Sequence, residues 1–294
     1  ISLEQKTAND FGFIFAVYNA LFVINRVLFI LLYRILTFCF YIAILLLKYI
    51  TFVDMSKSVL IKSSLVKKYW MSFTGLFLCL FLIGHLLGNL QLLLPAEKAQ
   101  LSFNEYAKFM TTFPLVKLLS YLTYFSILFH AVDGILLTIQ NRKARPVKYA
   151  YNKPSANSSW ASRNMALLGF ILLFFLVIHM KSFWYEMHFG NVPIDKQAFS
   201  ELVAQGMSEE KALENAPKDL YTITSKAFEN IFYVLFYVIS LAAISLHLFH
   251  GLNSAFKSIG LSNPKYNTAL KISAVSFSLI VPILFISIPI TIYI

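Results

Sequence analysis

From residue 70 to the end of the chain, long apolar segments alternate with shorter polar connections. A helix needs about 20 mainly apolar residues to cross roughly 30 Å of hydrocarbon, and five segments reach that length. Lipid offers the backbone no hydrogen-bond partners, so each of these spans is predicted to be helical. The sequence therefore predicts an all-α membrane protein with five transmembrane helices, at about residues 70–94, 116–140, 164–185, 230–253 and 272–293.

The segments that flank the spans differ in charge. The segment before the first span, the second connection and the fourth connection are basic, whereas the first connection mixes both signs and the third is rich in Asp and Glu. Short basic loops stay cytoplasmic, which places the segment before the first span inside and the C-terminus outside. The basic residues are Lys57, Lys62, Lys67 and Lys68, then Arg142, Lys143, Arg145, Lys148, Lys153 and Arg163, and then Lys257, Lys265 and Lys271.

The third connection, about residues 186–229, is unusually long. Its stretch 195–214 combines helical spacing with good helix formers. We expect a short amphipathic helix there, capping the outer face of the bundle.

The first 54 residues are apolar but are interrupted by Arg26, Arg34 and Lys48, and their uncharged runs, such as 35–47, are too short to span a membrane. One interpretation is an extra tilted helix whose arginines reach the interface. The other, which we favour, is that the natural protein begins at Met55, which opens the basic stretch MSKSVLIKSSLVKKYW. Residues 1–54 are therefore treated as an extension without assigned function, and residues 55–294 as the five-helix domain.

Composition agrees with a membrane protein. Apolar residues make up 58% of the chain, charged residues 13%, and the mean hydropathy is +0.68, whereas soluble domains carry about a quarter charged residues. The net charge of +11 lies in short runs between apolar segments, which favours a membrane surface over nucleic acid as the partner. The two cysteines, Cys39 and Cys79, lie in apolar stretches without metal-ligand spacing.

Five of the six histidines fall inside the predicted spans, where ionisable groups usually mark a site. His85 and His179 each lie 15 residues from the inner end of two parallel spans, roughly 22 Å from the inner edge. His130 and His247 each lie 10 residues before the inner end of two antiparallel spans, roughly 15 Å from that edge. The four side chains thus form two predicted pairs at two depths, with one histidine from each of four helices.

Two facing imidazoles in a helix bundle are the usual ligands of a six-coordinate haem, so the pattern predicts two b haems. Zinc fits less well, because each level offers two ligands and no thiolate or carboxylate joins them. A lone membrane histidine also occurs as a simple hydrogen-bonding group, and a haem-free transporter or channel would use histidines to move protons. The matching depths and helix directions favour haem over both.

Further residues are predicted near the haems. The anionic propionates need donors at the inner boundary, where the candidates are Ser72, Arg163, Lys257 and His250; the two cations are equally explained as anchors of the inner boundary. His188 lies at the outer boundary, either on the surface or near a quinone. Small residues beside the ligands would leave gaps for a flat macrocycle, namely Gly84, Gly88, Gly134 and Gly251.

Four segments carry a family resemblance: KKYWMSFTGLFLCLFLIGHLLGN at 67–89, LTYFSILFHAVDGI at 122–135, NMALLGFILLFFLVIHMKSFWYEM at 164–187 and LHLFHGLNSAFKSIG at 246–260. With them, nearly the whole chain after residue 55 resembles the dihaem cytochrome b membrane anchor of succinate dehydrogenase and fumarate reductase. The resemblance implies that five helices form the anchor and that the first four form the haem-binding bundle. It assigns His85 and His179 to the outer haem, and His130 and His247, rather than His250, to the inner haem.

The resemblance also implies a non-catalytic electron-transfer subunit in a bacterial cytoplasmic membrane. Flavoprotein and iron–sulfur subunits would dock on the inner face. Electrons would pass through two haem b groups to a quinone, for which menaquinone is expected. In fumarate reduction the electrons would flow in the opposite direction. Glu105 is a candidate for the quinone site, although a solvated loop charge explains it better. Ser245 stands where one branch of relatives has a glutamate. The alternative is the cytochrome b of another quinone-linked enzyme such as a hydrogenase.

Overall fold

The computed structural model describes residues 64–144 and 153–294. Some predictions lie outside these described residues. They are the predictions for residues 1–54, for the basic residues up to Lys62, and for Arg145 and Lys148. Within the described ranges the chain is helical and contains no strand, only an isolated bridge between Ile194 and Lys218.

Residues 64–144 and 153–294 form nine α-helices of seven or more residues, numbered in chain order, together with several shorter helical turns that carry no number. The numbered helices are α1 (Ser64–Asn89), α2 (Ala96–Thr112), α3 (Pro114–Lys143), α4 (Met165–His179), α5 (Lys196–Ala204), α6 (Glu209–Asn215), α7 (Leu220–Phe228), α8 (Ile231–Ser258) and α9 (Asn267–Tyr293). Helix α4 continues without a break through a π-helical segment, Met180–Tyr185, and a last turn, Glu186–Phe189.

Among the described residues, five helical stretches are long and apolar enough to cross a membrane, which confirms the five predicted spans to within a few residues at each end. They are Leu65–Leu93, Pro114–Lys143, Met165–Phe189, Ile231–Ser258 and Asn267–Tyr293. Large apolar side chains on them are exposed, as expected of helices that face lipid: Phe232 is 79% exposed and Leu80 66%. The chain is accordingly an integral multi-pass membrane protein.

Local sequence signals set the ends of the spans. Pro114 opens α3 at a position that needs no backbone N–H, and the Asn230 side chain caps α8 by accepting from the N–H groups of Phe232 and Tyr233. Helix α8 ends at Ser258, and Gly260 shortly after it has a φ of +82°, the left-handed conformation that glycine most readily adopts beyond a helix end.

Helix α8 lies at the centre of the bundle. It packs most extensively against α9 and also contacts α1 and α4, while α3 packs mainly on α1. Helix α9 contains Pro282, which has no N–H and so leaves the Ser278 carbonyl without its usual partner in the helix. The Ser245 hydroxyl of α8 donates to that carbonyl across 2.6 Å, so a side chain from one helix repairs the backbone of the next.

The first connection forms α2, which the sequence pattern did not predict. In the third connection, the predicted single helix over 195–214 is wrong: the chain forms α5 and α6 instead. The break is at Gly206, whose φ is +91°. The N–H groups of Gly206 and Met207 donate back to the carbonyls of Val203 and Leu202, the double bond pattern that ends helices at a left-handed glycine.

A buried polar cluster ties these connections together at one end of the bundle. The fully buried Asn104 of α2 donates to Asp195 at 2.8 Å and to Asp219 at 3.1 Å, and its carbonyl accepts from the Tyr221 N–H. The two carboxylates also cap the first turns of α5 and α7. Each charge is thereby satisfied, which is the condition for burying it.

Candidate functional site

The four histidines singled out by depth lie in two close pairs. The ring centroids of His85 in α1 and His179 in α4 are 5.8 Å apart, with an angle of 89° between the rings. Those of His130 in α3 and His247 in α8 are 6.1 Å apart, with an angle of 64°. The structure thus brings together the same partners that the sequence pattern pairs.

The spacing within each pair suits two ligands of one metal. Imidazole nitrogens bind first-row metals at about 2 Å, so two rings on opposite sides of one iron have centroids about 6 Å apart. Both observed separations agree with that value, and all four side chains are half-buried.

His130 is held by a hydroxyl of the neighbouring helix. Its Nδ1 lies 3.2 Å from Thr74 Oγ1, and that hydroxyl also lies within bonding distance of the Trp70 and Met71 carbonyls of its own helix. A hydroxyl has one proton, so when Thr74 donates to a carbonyl its oxygen accepts from Nδ1–H and the ring's lone pair stays on Nε2. The ring packs so closely that a Cβ on Gly75 would lie 3.1 Å from His130 Cε1.

His179 is held in the same way by a phenol. Its Nδ1 lies 2.9 Å from the Tyr237 hydroxyl, which in turn lies 3.3 Å from the Tyr233 hydroxyl. Tyr237 is only 5% exposed and belongs to an aromatic cluster with Phe175 and Phe228. The two hydroxyls are thus polar groups inside an otherwise apolar region, and His179 stacks on Phe175 at 5.6 Å.

The other two imidazoles have different neighbours. His85 packs between Phe81 at 5.3 Å and Phe285 of α9 at 5.6 Å, so the fifth span also contributes to this site. Its Nδ1 lies 3.4 Å from the Asn89 amide nitrogen, which is a donor and bonds more closely to the His85 carbonyl. The buried Nδ1 of His247 has no hydrogen-bond partner in the part of the chain that the structure describes.

These donor sets fit haem b better than a protein-coordinated metal ion. Among residues 64–144 and 153–294, no group of three or more His, Cys, Asp or Glu side chains could hold a metal ion. A haem needs only two protein ligands, because the macrocycle supplies the other four. At His85, His130 and His179 the side-chain contacts described above are made by Nδ1, the ring nitrogen other than the Nε2 that would bind an iron.

The four glycines beside the histidines do not share one role. A Cβ built on Gly84 or Gly251 would meet nothing within 4 Å, which agrees with the predicted gaps, and one on Gly134 would touch only Met71 at 3.7 Å. At Gly88 the prediction of a gap is wrong, since a Cβ there would overlap the Tyr106 ring of α2. Gly88 admits this ring because glycine has no side chain.

Tyr106 fastens α2 to the first span. Its hydroxyl donates to the Gly84 carbonyl at 3.2 Å. Burial raises the pKa of this phenol, so it remains a hydrogen-bond donor at neutral pH.

The four residues predicted to contact the haem propionates differ in whether their side chains already bond to the backbone. The buried Ser72 hydroxyl donates to the Lys68 carbonyl of its own helix, and Arg163 donates to the carbonyls of Pro154 and Ser158. Lys257 is exposed at the end of α8, two turns beyond the half-buried His250. Within the described ranges, the side chains of Lys257 and His250 do not donate to a backbone carbonyl as those of the other two candidates do.

The residues predicted for the outer boundary lie on the surface. Glu105 is exposed on α2. His188 is exposed, and its Nδ1 lies 2.8 Å from the Trp184 carbonyl. It lines a cavity of about 300 Å³ together with Asn104, Lys108 and Lys218.

The sequence pattern missed three residues that the structure places beside the histidines. Thr74 and Tyr237 carry the hydroxyls described above. Asp133 is a half-buried carboxylate inside α3, three residues after His130. The sequence alone could have indicated Asp133 as a candidate site residue, because a carboxylate within a span is costly in lipid and usually marks a site.

Comparison with known proteins adds no independent assignment. The chain matches no protein-family model, and searches of curated proteins and of solved structures found no match either.

Proposed function

We propose that this chain is the dihaem cytochrome b anchor of a succinate dehydrogenase or fumarate reductase, carrying electrons between an iron–sulfur subunit and a membrane quinone. The proposal rests on the two histidine pairs. Four spans contribute one histidine each, and the ring centroids within each pair are about 6 Å apart. The four segments of family resemblance supply the identity of the complex.

His85 and His179 would hold one haem b, and His130 and His247 the other, each through Nε2. Bound haem iron supplies one-electron transfer. The protein's part is to fix the imidazoles and to exclude water, which Phe81, Phe175 and Phe285 do at the first pair by packing on its rings.

The ends of the bundle suit different partners. Basic residues gather at one end, where α3 and α8 finish and α4 begins: Arg142, Lys143, Arg163 and Lys257. In the proposed orientation this end is cytoplasmic and receives the iron–sulfur and flavoprotein subunits. The opposite end carries α2 and the capped third connection, beside which the His85–His179 pair would exchange electrons with quinone.

Isolation of the intact complex tests the function. A tagged chain, extracted in mild detergent, should bring down a flavoprotein and an iron–sulfur protein, and succinate should reduce its b haems. Reduction by hydrogen but not by succinate would assign the chain to a hydrogenase instead. A chain that carries haem yet responds to neither donor would refute the proposed complex.

A further inference from the structure

Each histidine pair contains one imidazole that is anchored by a hydroxyl from a different helix. In the first pair it is His179, at 2.9 Å from Tyr237 of α8. In the second it is His130, at 3.2 Å from Thr74 of α1. Within residues 64–144 and 153–294 the other two imidazoles have no such acceptor, because His85 faces an amide donor and the buried Nδ1 of His247 has no partner there.

We propose that Tyr237 and Thr74 are positioning residues that set the reduction potentials of the two haems separately, Tyr237 for the haem of the His85–His179 pair and Thr74 for that of the His130–His247 pair. This inference rests on the proposed function. Neither residue touches the iron; each acts through the Nδ1–H of one ligand.

The direction of each hydrogen bond follows from the proposed ligation. An imidazole that bound iron through Nε2 would carry its ring proton on Nδ1, so the hydroxyl facing Nδ1 would accept. Thr74 can take this role because its own proton has carbonyl acceptors at 3.0 and 3.2 Å. Tyr237 can take it by donating to the Tyr233 hydroxyl at 3.3 Å.

An acceptor on Nδ1–H makes the imidazole a stronger electron donor and fixes its ring orientation. A stronger donor favours the oxidised iron and lowers the potential of the haem. Loss of the acceptor should therefore move that haem to a more positive potential. Because the two hydroxyls lie on different helices and serve different pairs, the two effects should be separable.

Redox titration of the two haems in the intact membrane complex tests this. Tyr237→Phe should shift only the haem that is lost in His179→Ala, and Thr74→Val only the haem that is lost in His130→Ala. We expect each reduction equilibrium to shift by up to about tenfold toward the reduced form, which for one electron is about 59 mV. Thr74→Ser, which keeps the hydroxyl, should restore the potential.

Matched controls separate this effect from general damage. The buried Thr123 hydroxyl of α3 donates to the Leu119 carbonyl of its own helix, and the Tyr124 hydroxyl accepts from the Trp184 ring N–H. Neither hydroxyl bonds to one of the four histidines in the described ranges. Thr123→Val and Tyr124→Phe should therefore leave both potentials unchanged. Unchanged potentials in Tyr237→Phe and Thr74→Val, with both haems bound, would overturn the inference and leave the proposed function intact. A wild-type chain without haem would instead refute the function. If Tyr237→Phe does not accumulate, the Thr74 variants alone decide the outcome.

Discussion

The four histidines are identical side chains in unlike surroundings. His179 and His130 are each fixed by a hydroxyl, whereas His85 is held mainly by aromatic packing and His247 has an unpartnered Nδ1. Their depth was predictable, because the ends of a span can be located from charge and apolar length. The hydroxyls of Thr74 and Tyr237 were not, since contacts between helices depend on how each helix is rotated about its axis.

Gly75 offers a test of a single close contact. A Cβ at this position would lie 3.1 Å from His130 Cε1, so Gly75→Ala should push the imidazole and weaken haem binding at the His130–His247 pair. We expect about a tenfold loss of affinity for that haem, comparable to losing an outer hydrogen-bond partner of a metal ligand. Haem content per purified chain measures it.

The control is Gly169→Ala in α4, because a Cβ there would meet nothing within 4 Å. This variant should keep full haem content. Equal loss in both variants, or loss from the His85–His179 pair in Gly75→Ala, would contradict the assigned contact.

The helices show where sequence reasoning succeeds. The five spans were predictable because membrane thickness dictates their length. Helix α2 was not, since its mixed charges carry no membrane signal. The break between α5 and α6 could have been read from Gly206, but the helical spacing on both sides outweighed one glycine.

One side-chain hydrogen bond links α8 to the backbone of α9. Ser245→Ala would leave the Ser278 carbonyl unpaired beside Pro282. Hydrogen bonds between membrane helices contribute about 0.6–1.7 kcal/mol, so the free energy of unfolding should fall by about 1 kcal/mol in a detergent unfolding titration. This bond also gives Ser245 a structural role at the position where some relatives of the resembled family carry a glutamate.

Ser240→Ala is the matched control, because this buried serine of the same helix bonds only to the Phe236 carbonyl one turn earlier. It should cost less than Ser245→Ala. An equal or larger cost at Ser240 would show that the bond between the helices carries no special weight.

The cap at one end depends on Asn104. Asn104→Ala would remove the donor shared by Asp195 and Asp219, and bonds to charged groups contribute about 1.5–3 kcal/mol each. We expect the connection from residue 190 to residue 228 to become cleavable by protease while the spans stay intact. Asn215→Ala, at an exposed side chain bonded within its own helix, should leave the connection resistant. Equal resistance in both variants would refute the role of Asn104.

The molecule as a whole combines a fixed membrane frame with two sites built from pairs of spans. The helical frame follows from hydrophobic length alone. The pairing of histidines follows from depth and helix direction, and the structure places the same partners side by side. The proposed haems are the part of this account that a direct chemical measurement decides.

That measurement is the amount of b-type haem per purified chain, taken from dithionite-reduced spectra. We expect two haems in the wild type, and one in each single replacement of His85, His179, His130 or His247 by Ala. The His85 and His179 variants should lack the same haem, and His188→Ala, at an exposed histidine outside both pairs, should retain two. A wild-type chain without b-type absorption, or His85 and His179 variants that lose different haems, would contradict the assignment.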